Sequence, residues 1–383
     1  AQKKEFDNAA NLLKDELNIK HDDDVLNRLL VLYGKNKQQE KAISFLEEQI
    51  QKSPKPIYYT SLATIFYKTL QTGKKSIDIL KSGLLKFPKS RLITNTLGLI
   101  YRYDGHYDLA QQQLEITCKD ILEYNADFNH EYIGKLPDEE KFALNFLSFC
   151  YLSTCSWDKY DKIKNKFVAY IDYQLHTDQF AFCSPFQSLR MLNINKYQLP
   201  VAINFAKKLV PTNPVFKHDN RKKNKRIKVG YFSCDFNSHA VGMLIDNLFS
   251  YHNRDNFEIY CYMSSPAHDQ LTEMIFSSSD HAIDLSQLSD FDAATRIFED
   301  NLDILIDLSS FTSHSRPVIL SYQPCPIQCH YLGLISTYGA PFIQYHIATN
   351  ELIPEDERCN FHEKIALLPQ YLKWIQCQLA GVQ

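Results

Sequence analysis

The stretch RIKVGYFSCDFNSH, residues 226–239, decides the fold together with VGMLIDNLFSYH, residues 241–252. The first is a short β-type run that ends in small polar residues, and the second is compatible with a helix. A strand, a polar turn and a helix in this order are typical of an open α/β sheet. Ligands of such sheets bind beyond the carboxyl ends of the strands. His239 lies in this turn, so an imidazole stands where a substrate is expected.

Strand-like and helix-like runs alternate downstream of this turn. The further predicted strands are NFEIYCYMSS at 256–265, HAIDLSQLS at 281–289 (a short strand or turn), LDILIDLSS at 302–310, CPIQCHYLG at 325–333 and YHIATN at 345–350. This alternation predicts a parallel, doubly wound, Rossmann-like sheet. The sequence has no G-x-G-x-x-G, Walker A, G-x-S-x-G or H-E-x-x-H motif. Their absence argues against dinucleotide binding and the commonest hydrolase classes.

Residues 1–123 repeat with a period of 34. The repeating positions are Tyr33, Tyr67 and Tyr101; Leu46, Leu80 and Leu114; Ala42, Ser76 and Ala110; Leu29, Ala63 and Leu97; and the closing Pro54 and Pro88. Small residues let two helices cross closely, and proline ends the second helix. The pattern resembles the tetratricopeptide repeat, which stacks into an α-solenoid with a concave groove. The groove is expected to bind polypeptide; the alternative is that the repeats only brace the next domain.

Three further segments follow the repeats. We expect a helical extension with a possible degenerate repeat at residues 124–210, a basic linker at 211–226 and the Rossmann-like lobe at 227–383. The basic run is interpreted as a solvated linker, with binding of phosphate or an acidic partner as the alternative. In the repeats, Asn95 and its equivalents Asn27 and Ser61 are candidates for holding a peptide backbone.

The composition narrows the class of protein. The formal net charge of −3 and a pI near 6.5 give no signal for nucleic acid or an anionic membrane. No apolar run approaches the ~20 residues of a membrane span. The ten cysteines contain no C-x-x-C pair, which favours reduced thiols and a cytoplasmic protein.

Four motifs carry a specific resemblance. They are S-x-D-F-x-x-H at 233–239, D-I-L-I-D-L at 303–308, P-x-P-I-Q-x-x-x-L-G at 324–333 and T-x-G-A at 337–340. Their order, behind the repeats, is similar to the O-GlcNAc transferase family. The resemblance implies a two-lobed glycosyltransferase that moves GlcNAc from UDP-GlcNAc to serine and threonine of proteins without a metal or other cofactor. A related plant branch implies GDP-fucose as an alternative donor.

The resemblance also implies site residues. His239 matches the active-site histidine, and the positions matching substrate-binding residues are Asp235, Arg316, Leu332, Gly333, Thr337 and Gly339. Ser233 precedes the turn, while Pro324, Pro326 and Gln328 are expected to be structural. Without the resemblance, His239 is interpreted as a turn histidine bonded to backbone. For Arg316, a salt bridge at a helix start is the alternative.

The chain departs from the family pattern at several of these positions. Ala240 stands where the family has proline, and Ser309 and Ser310 replace an Asn-Gly pair. LGLISTYG, residues 332–339, replaces L-G-Y-P-G-T-S-G, and Tyr338 is expected to place a bulky ring beside the sugar pocket. The sequence stops at Gln383 before a second lobe, so we expect a fragment or degraded relative with little activity alone. The alternative function is a non-catalytic repeat adaptor with a relic lobe.

Two weaker clusters complete the candidates. Cys325, Cys329 and His330 form C-x3-C-H, and strand alternation would point both thiols to one face. One interpretation of this cluster is a zinc site. Because buried cysteines more commonly pack as small hydrophobic residues, no metal site is predicted. Asp300 and Asp303 are expected to be exposed.

Overall fold

The computed structural model describes residues 2–19, 22–70, 72–177, 183–189, 195–207, 214–219, 221 and 223–369. The chain forms two compact units, Ala1–Tyr173 and Gln174–Gln383. The segment predicted as one helical extension, residues 124–210, is therefore shared between the two units. Within the described residues, no helix is both long and apolar enough to cross a membrane.

The first unit consists of helices. They are α1 Gln2–Ile19, α2 Asp23–Lys35, α3 Gln39–Lys52, α4 Pro56–Leu70, α5 Gly73–Lys86, α6 Arg91–Tyr103, α7 Tyr107–Thr117, α8 Lys119–Glu123, α9 His130–Lys135, α10 Asp138–Ser153 and α11 Trp157–Thr177, which runs past the unit boundary. Side-chain caps start several of them: Asp22 accepts a hydrogen bond from the N–H of Asp24, and Ser90 from that of Ile93. Both caps satisfy backbone donors that the first helical turn leaves free.

The positions that repeat every 34 residues form the core of this unit. Leu46, Leu80 and Leu114 are fully buried, as are Ser76 and Ala110 in the small-residue positions. The Ser76 hydroxyl donates to the carbonyl of Ala63 on the preceding helix, at 2.9 Å. A small side chain at this position thus permits the close approach of paired helices that the period predicts.

The second unit contains a seven-stranded parallel sheet. Its elements are α12 Pro185–Leu189, α13 Asn195–Lys207, β1 Ile227–Ser233, α14 Ala240–Ile245, β2 Phe257–Met263, α15 Gln270–Ser277, β3 His281–Asp284, α16 Asp290–Glu299, β4 Ile304–Asp307, α17 Pro317–Ser321, β5 Ile327–Tyr331, β6 Tyr345–Ala348 and β7 Lys364–Leu367, with 3₁₀ turns at Leu248–Tyr251 and Glu355–Asn360. The strand order is β3-β2-β1-β4-β5-β6-β7. The predicted helical region followed by a parallel, doubly wound sheet is confirmed; β7 was not predicted.

Alternate residues of the central strands feed two apolar clusters. Phe232 and Leu305 belong to one cluster, together with Ala206 of α13. Their strand neighbours Tyr231 and Ile306 belong to the other. This alternation is the side-chain period of a strand. The sheet therefore has an apolar layer on each side, as a parallel sheet requires.

The segment predicted as a solvated basic linker is solvated at Lys217, Lys223 and Lys225, which are exposed, and packed at other described positions. Phe216 stacks on Phe298 of α16 with ring centroids 4.6 Å apart. Arg221 donates to the carbonyl of Asn301 at 2.9 Å and lies 3.2 Å from the Asp303 carboxylate. The expected exposure of Asp303 and Asp300 is also wrong: both are half-buried, and Asp300 accepts from the Tyr262 hydroxyl at 2.7 Å.

Candidate active site

The strand order places a topological switch point between β1 and β4. The region beyond the carboxyl ends of these two strands is termed the β1–β4 crevice. β2 and β3 lie on one side of β1, and β4 to β7 lie on the other, so the connections diverge here. Such a switch point is where open α/β sheets bind ligands. The Ser309 hydroxyl accepts the backbone N–H of Cys234 at 3.1 Å and lies 3.2 Å from the Ser233 hydroxyl. These bonds join the two strand exits.

His239 lies beyond the carboxyl end of β1, where it precedes α14. Its side chain is 51% exposed and caps α14, with Nδ1 accepting the backbone N–H of Val241 at 3.3 Å. The Asp235 carboxylate lies 3.8 Å from the same Nδ1. With Nδ1 as acceptor, the neutral ring carries its proton on Nε2 and donates from there. The other tautomer directs Nδ1–H toward Asp235 and leaves Nε2 free to accept a proton.

Leu332 and Gly333 directly follow β5, and Gly333 lies against the residues that follow β4. Both have positive φ, 57° and 39°. A Cβ on Gly333 would lie 2.4 Å from the carbonyl oxygen of Leu308, so only glycine allows this loop to approach the strand. Leu332 is buried in an apolar cluster. The structure thus brings this predicted pair to the same sheet edge as His239, although Leu332 packs inward.

Thr337 and Gly339 have structural partners. Thr337 is fully buried, donates to the Glu363 carboxylate at 2.8 Å and accepts the N–H of His362 at 3.0 Å. Gly339 has a φ of 63°, and a Cβ there would lie 2.5 Å from the backbone nitrogen of Ile203 in α13. Contact of either residue with substrate stays a prediction. Glu363 was not predicted, because it lies far along the chain from the motif that it supports.

The expectation that Tyr338 narrows the sugar pocket is wrong. Its side chain is fully buried, and its ring packs against those of Phe311 and Phe342, with centroids 4.5 and 5.8 Å away. Burial, reinforced by the Asp307 carboxylate, raises the pKa of its hydroxyl well above the ordinary value. The ring therefore fills the core instead of the crevice.

Arg316 precedes α17 and is held by the β3–α16 connection. Its guanidinium donates to the Asp290 carboxylate at 2.8 Å and to the carbonyls of Leu285 at 2.8 Å and Leu288 at 2.7 Å. This is the salt bridge at a helix start that the residues alone indicated. A substrate contact by Arg316 stays a prediction, and one that these bonds disfavour.

A buried polar row runs across the strands beneath the loops. Asp307 of β4, His330 of β5 and His346 of β6 face one another in register. Asp307 accepts the N–H groups of Ser309 at 3.1 Å and Ser310 at 2.8 Å. His330 donates from Nε2 to the carbonyl of Leu334 at 2.8 Å, and its Nδ1 lies 3.8 Å from the Asp307 carboxylate. The row therefore anchors the loops after β4 and β5.

Burial shifts the pKa values of this row in opposite directions. It raises the pKa of the Asp307 carboxyl, against the nearby His330, and it lowers the pKa of His346 to about 2, with a further contribution from His330. Each shift favours the uncharged form, as desolvation does. The sequence did not reveal the row, because its members come together only through the strand register.

The cysteine cluster does not assemble. Cys325 lies before β5 and packs in one apolar cluster, whereas Cys329 within β5 packs in the other. The expected common face is therefore wrong, since alternation does not extend to a residue outside the strand. Among the described residues, no group of three or more His, Cys, Asp or Glu side chains is placed to hold a metal ion.

Comparisons with known proteins agree on one family. The model of glycosyl transferase family 41 matches residues 154–374, more than half of the chain. The probable UDP-N-acetylglucosamine–peptide N-acetylglucosaminyltransferase SEC of Arabidopsis thaliana is 30% identical over 227 residues, covering 56% of this chain and 23% of that protein. The Caenorhabditis elegans UDP-N-acetylglucosamine–peptide N-acetylglucosaminyltransferase is 28% identical over 227 residues, covering 56% and 20%. The chain thus spans less than a quarter of the length of these relatives.

A solved structure supports the same architecture. A mutant O-GlcNAc transferase from Thermobaculum terrenum matches with a TM-score of 0.55 and 18% identity, covering 87% of this chain and 58% of that one. At this identity the likeness shows the fold alone. It is nevertheless independent of the motif matches, because it compares backbone geometry.

Proposed function

The chain belongs to glycosyl transferase family 41, and from that premise we propose that it supplies His239 and the β1–β4 crevice to a protein O-glycosyltransferase. The proposed reaction moves GlcNAc from UDP-GlcNAc to serine or threonine hydroxyls of proteins. The relatives' names specify that donor sugar and a peptide acceptor. GDP-fucose is the alternative donor, and a cytoplasmic location is proposed with the function.

The position and surroundings of His239 carry the proposal. Glycosyl transfer needs an acceptor placed in line with the anomeric carbon, a group that manages the acceptor proton, and stabilisation of the leaving diphosphate. His239 is half-exposed at the crevice, and its Nδ1 has both a backbone donor and the Asp235 carboxylate nearby. The Val241 N–H favours the tautomer with the proton on Nε2, which can donate to a bound oxygen. If Nδ1 instead carries the proton and turns to Asp235, Nε2 can accept the acceptor hydroxyl's proton.

We propose that the helices of the first unit are tetratricopeptide repeats whose groove guides polypeptide to the crevice. The burial of the 34-residue ladders supports this. The three candidate peptide-holding positions are not equivalent: Asn27 is exposed, Ser61 is half-buried and Asn95 is buried. Exposed Asn27 is therefore the best placed of the three to contact a peptide.

Substitution of His239 tests the function. We expect H239A to lower transfer to an acceptor polypeptide at least ~100-fold, the size of a general acid–base contribution. Transfer is measured with radiolabelled UDP-GlcNAc, and with GDP-fucose in parallel. His106, an exposed N-cap of α7 whose side chain makes no cap bond, gives the matched control H106A. Transfer by H239A at the parental rate would contradict the assigned role.

The non-catalytic adaptor remains a second candidate because Arg316 and Thr337 are occupied by internal bonds. An adaptor with a relic lobe need not bind a sugar nucleotide. Calorimetric titration of the 383-residue chain with UDP-GlcNAc and GDP-fucose separates the two functions. Micromolar binding of either donor would contradict the adaptor, whereas absence of binding is expected both of the adaptor and of an incomplete catalytic region.

A further inference from the structure

The turn that carries His239 is held by the connection between β2 and α15. Asp269 accepts at Oδ2 from the backbone N–H of Ser238, at 2.7 Å. Thr272 donates from its hydroxyl to the carbonyl of Phe236, at 2.6 Å. The backbone is therefore fixed on both sides of Asn237 by two residues that are adjacent in space and lie 31 and 36 positions along the chain from the atoms that they hold.

The fixed segment leads directly to the imidazole. The N–H of His239 donates to the carbonyl of Asn237 at 2.5 Å, so the residue held on both sides also sets the backbone of His239. On the opposite side, Gly242 of α14 packs against the same carbonyl, and a Cβ there would lie only 2.2 Å from it. The turn is confined between α14 and the α15 connection.

Asp269 uses its two carboxylate oxygens differently. Oδ1 accepts the N–H of Thr272 at 3.0 Å and caps α15 in a capping box, whereas Oδ2 holds Ser238. A helix cap requires only one acceptor oxygen. The hydrogen bond with Ser238, followed by those with Thr272, holds the pKa of Asp269 far below its ordinary value. The acceptor is consequently ionised, and its bonds are charge-assisted.

We propose that Asp269 is a positioning residue for His239: its Oδ2 fixes the turn so that the imidazole stays between the Val241 N–H and the Asp235 carboxylate. The catalytic consequence rests on the proposed function, whereas the effect on the ring does not. Loss of the Ser238 bond loosens the backbone that leads to the ring, because the remaining hydrogen bonds from the α15 side end before residue 238: Thr272 holds the carbonyl of Phe236, and Asn237 donates from Nδ2 to the carbonyl of Ala267 at 3.5 Å. Binding of the donor sugar nucleotide need not change.

Asp269→Asn separates the two uses of the side chain. Asparagine caps a helix about as well as aspartate, so Oδ1 keeps Thr272, while the amide nitrogen opposes the N–H of Ser238 with a second donor. Asp22 caps α2 by accepting from Asp24 at 2.9 Å. Asp22→Asn therefore makes the same chemical change at a cap that does not touch the turn.

The first measurement needs no activity. In the 383-residue chain, we expect D269N to speed amide exchange of Ser238 about tenfold, because the lost bond has a charged acceptor and tenfold corresponds to about 1.4 kcal/mol. We also expect it to change the ring ¹H–¹⁵N signals of His239. D22N should leave both unchanged. Equal Ser238 exchange and unchanged ring signals in D269N would overturn the proposal.

The second measurement is transfer from UDP-GlcNAc. We expect kcat of D269N to fall about tenfold with KM for UDP-GlcNAc unchanged, because misplacing a proton-transfer group acts on the reaction step. A parental kcat beside altered ring signals would overturn the catalytic consequence. Altered ring signals with an inactive parent chain would support the positioning and count only against transfer by this chain alone.

Discussion

At the scale of single residues, Ser310 is a departure from the family pattern that lowers the stability of the folded state. Its φ is 55°, a left-handed conformation that favours glycine, and the family pattern has glycine there. Its hydroxyl is buried without a hydrogen-bond partner. A strained backbone and a buried unpaired hydroxyl both destabilise the folded state. The backbone N–H of Ser310 still bonds Asp307 at 2.8 Å, which retains the conformation.

Ser310→Gly should therefore increase the free energy of unfolding by about 1 kcal/mol, the strain relief being partly offset by the greater entropy of the unfolded glycine. The measurement is urea unfolding of the sheet unit. Ser309→Gly is the contrasting variant, because the Ser309 hydroxyl accepts the N–H of Cys234 and its loss should destabilise. A decrease in stability with S310G would mean that strain at this position is not relieved.

At the scale of elements, α14 is short and its placement depends on Gly242. Helix propensity alone would favour alanine there by about 1 kcal/mol. Sterics oppose this, since a Cβ would lie 2.2 Å from Asn237 O and 2.8 Å from Asp235 O, both rigid backbone atoms. We expect G242A to lower the free energy of unfolding by about 1–3 kcal/mol, as overpacking does. The measurement is urea unfolding combined with amide exchange of residues 237–241.

Gly34 provides the control for this prediction. It lies in α2 with no atom within 4 Å of a Cβ placed on it. Gly34→Ala should therefore follow propensity and stabilise by up to about 1 kcal/mol. Equal effects of the two substitutions would show that the contact at Gly242 is not limiting.

A feature of the fold or of the site could be predicted from the sequence only where the residues that form it lie close together in the chain. β1, β2, β4, β5 and β6 were predicted because each is an apolar run. His239 was singled out by its place in the turn after β1, and Asp235 only by the resemblance to the family. β7 was not predicted: it lies at the edge of the sheet, and none of its four residues is buried. Asp269 and the buried row of Asp307, His330 and His346 were not predicted, because these residues meet their partners only once the chain is folded and the strands are in register. Strands can therefore be predicted from the local sequence, whereas the long-range contacts that hold the site residues cannot.

At the scale of the whole molecule, the buried row couples stability to pH through two opposing titrations. His346 is neutral in the folded protein, with a pKa of about 2, and ordinarily titrates near ~6.5. Its stabilising contribution is complete above ~6.5 and declines as pH falls, because only the unfolded state then takes up the proton. Asp307 acts oppositely: its raised pKa makes its contribution complete below ~3.9 and lost as pH rises through the folded value.

His346→Leu should remove the fall in the free energy of unfolding that occurs as the pH decreases below about 6.5. Between pH 6.5 and 4.5 the His346 titration lowers the free energy of unfolding by about 1.4 kcal/mol per pH unit. Leucine is chosen because the position is only 2% exposed and an apolar side chain without a titrating group suits it. Urea unfolding measured from pH 4.5 to 7.5 should give a flatter profile for H346L, or one that rises toward acid as the Asp307 titration becomes visible. His106→Leu, at an exposed position, should retain the parental slope. If H346L shows the same dependence of unfolding free energy on pH as the parent, the titration of His346 is not the cause of the decline in stability toward acid.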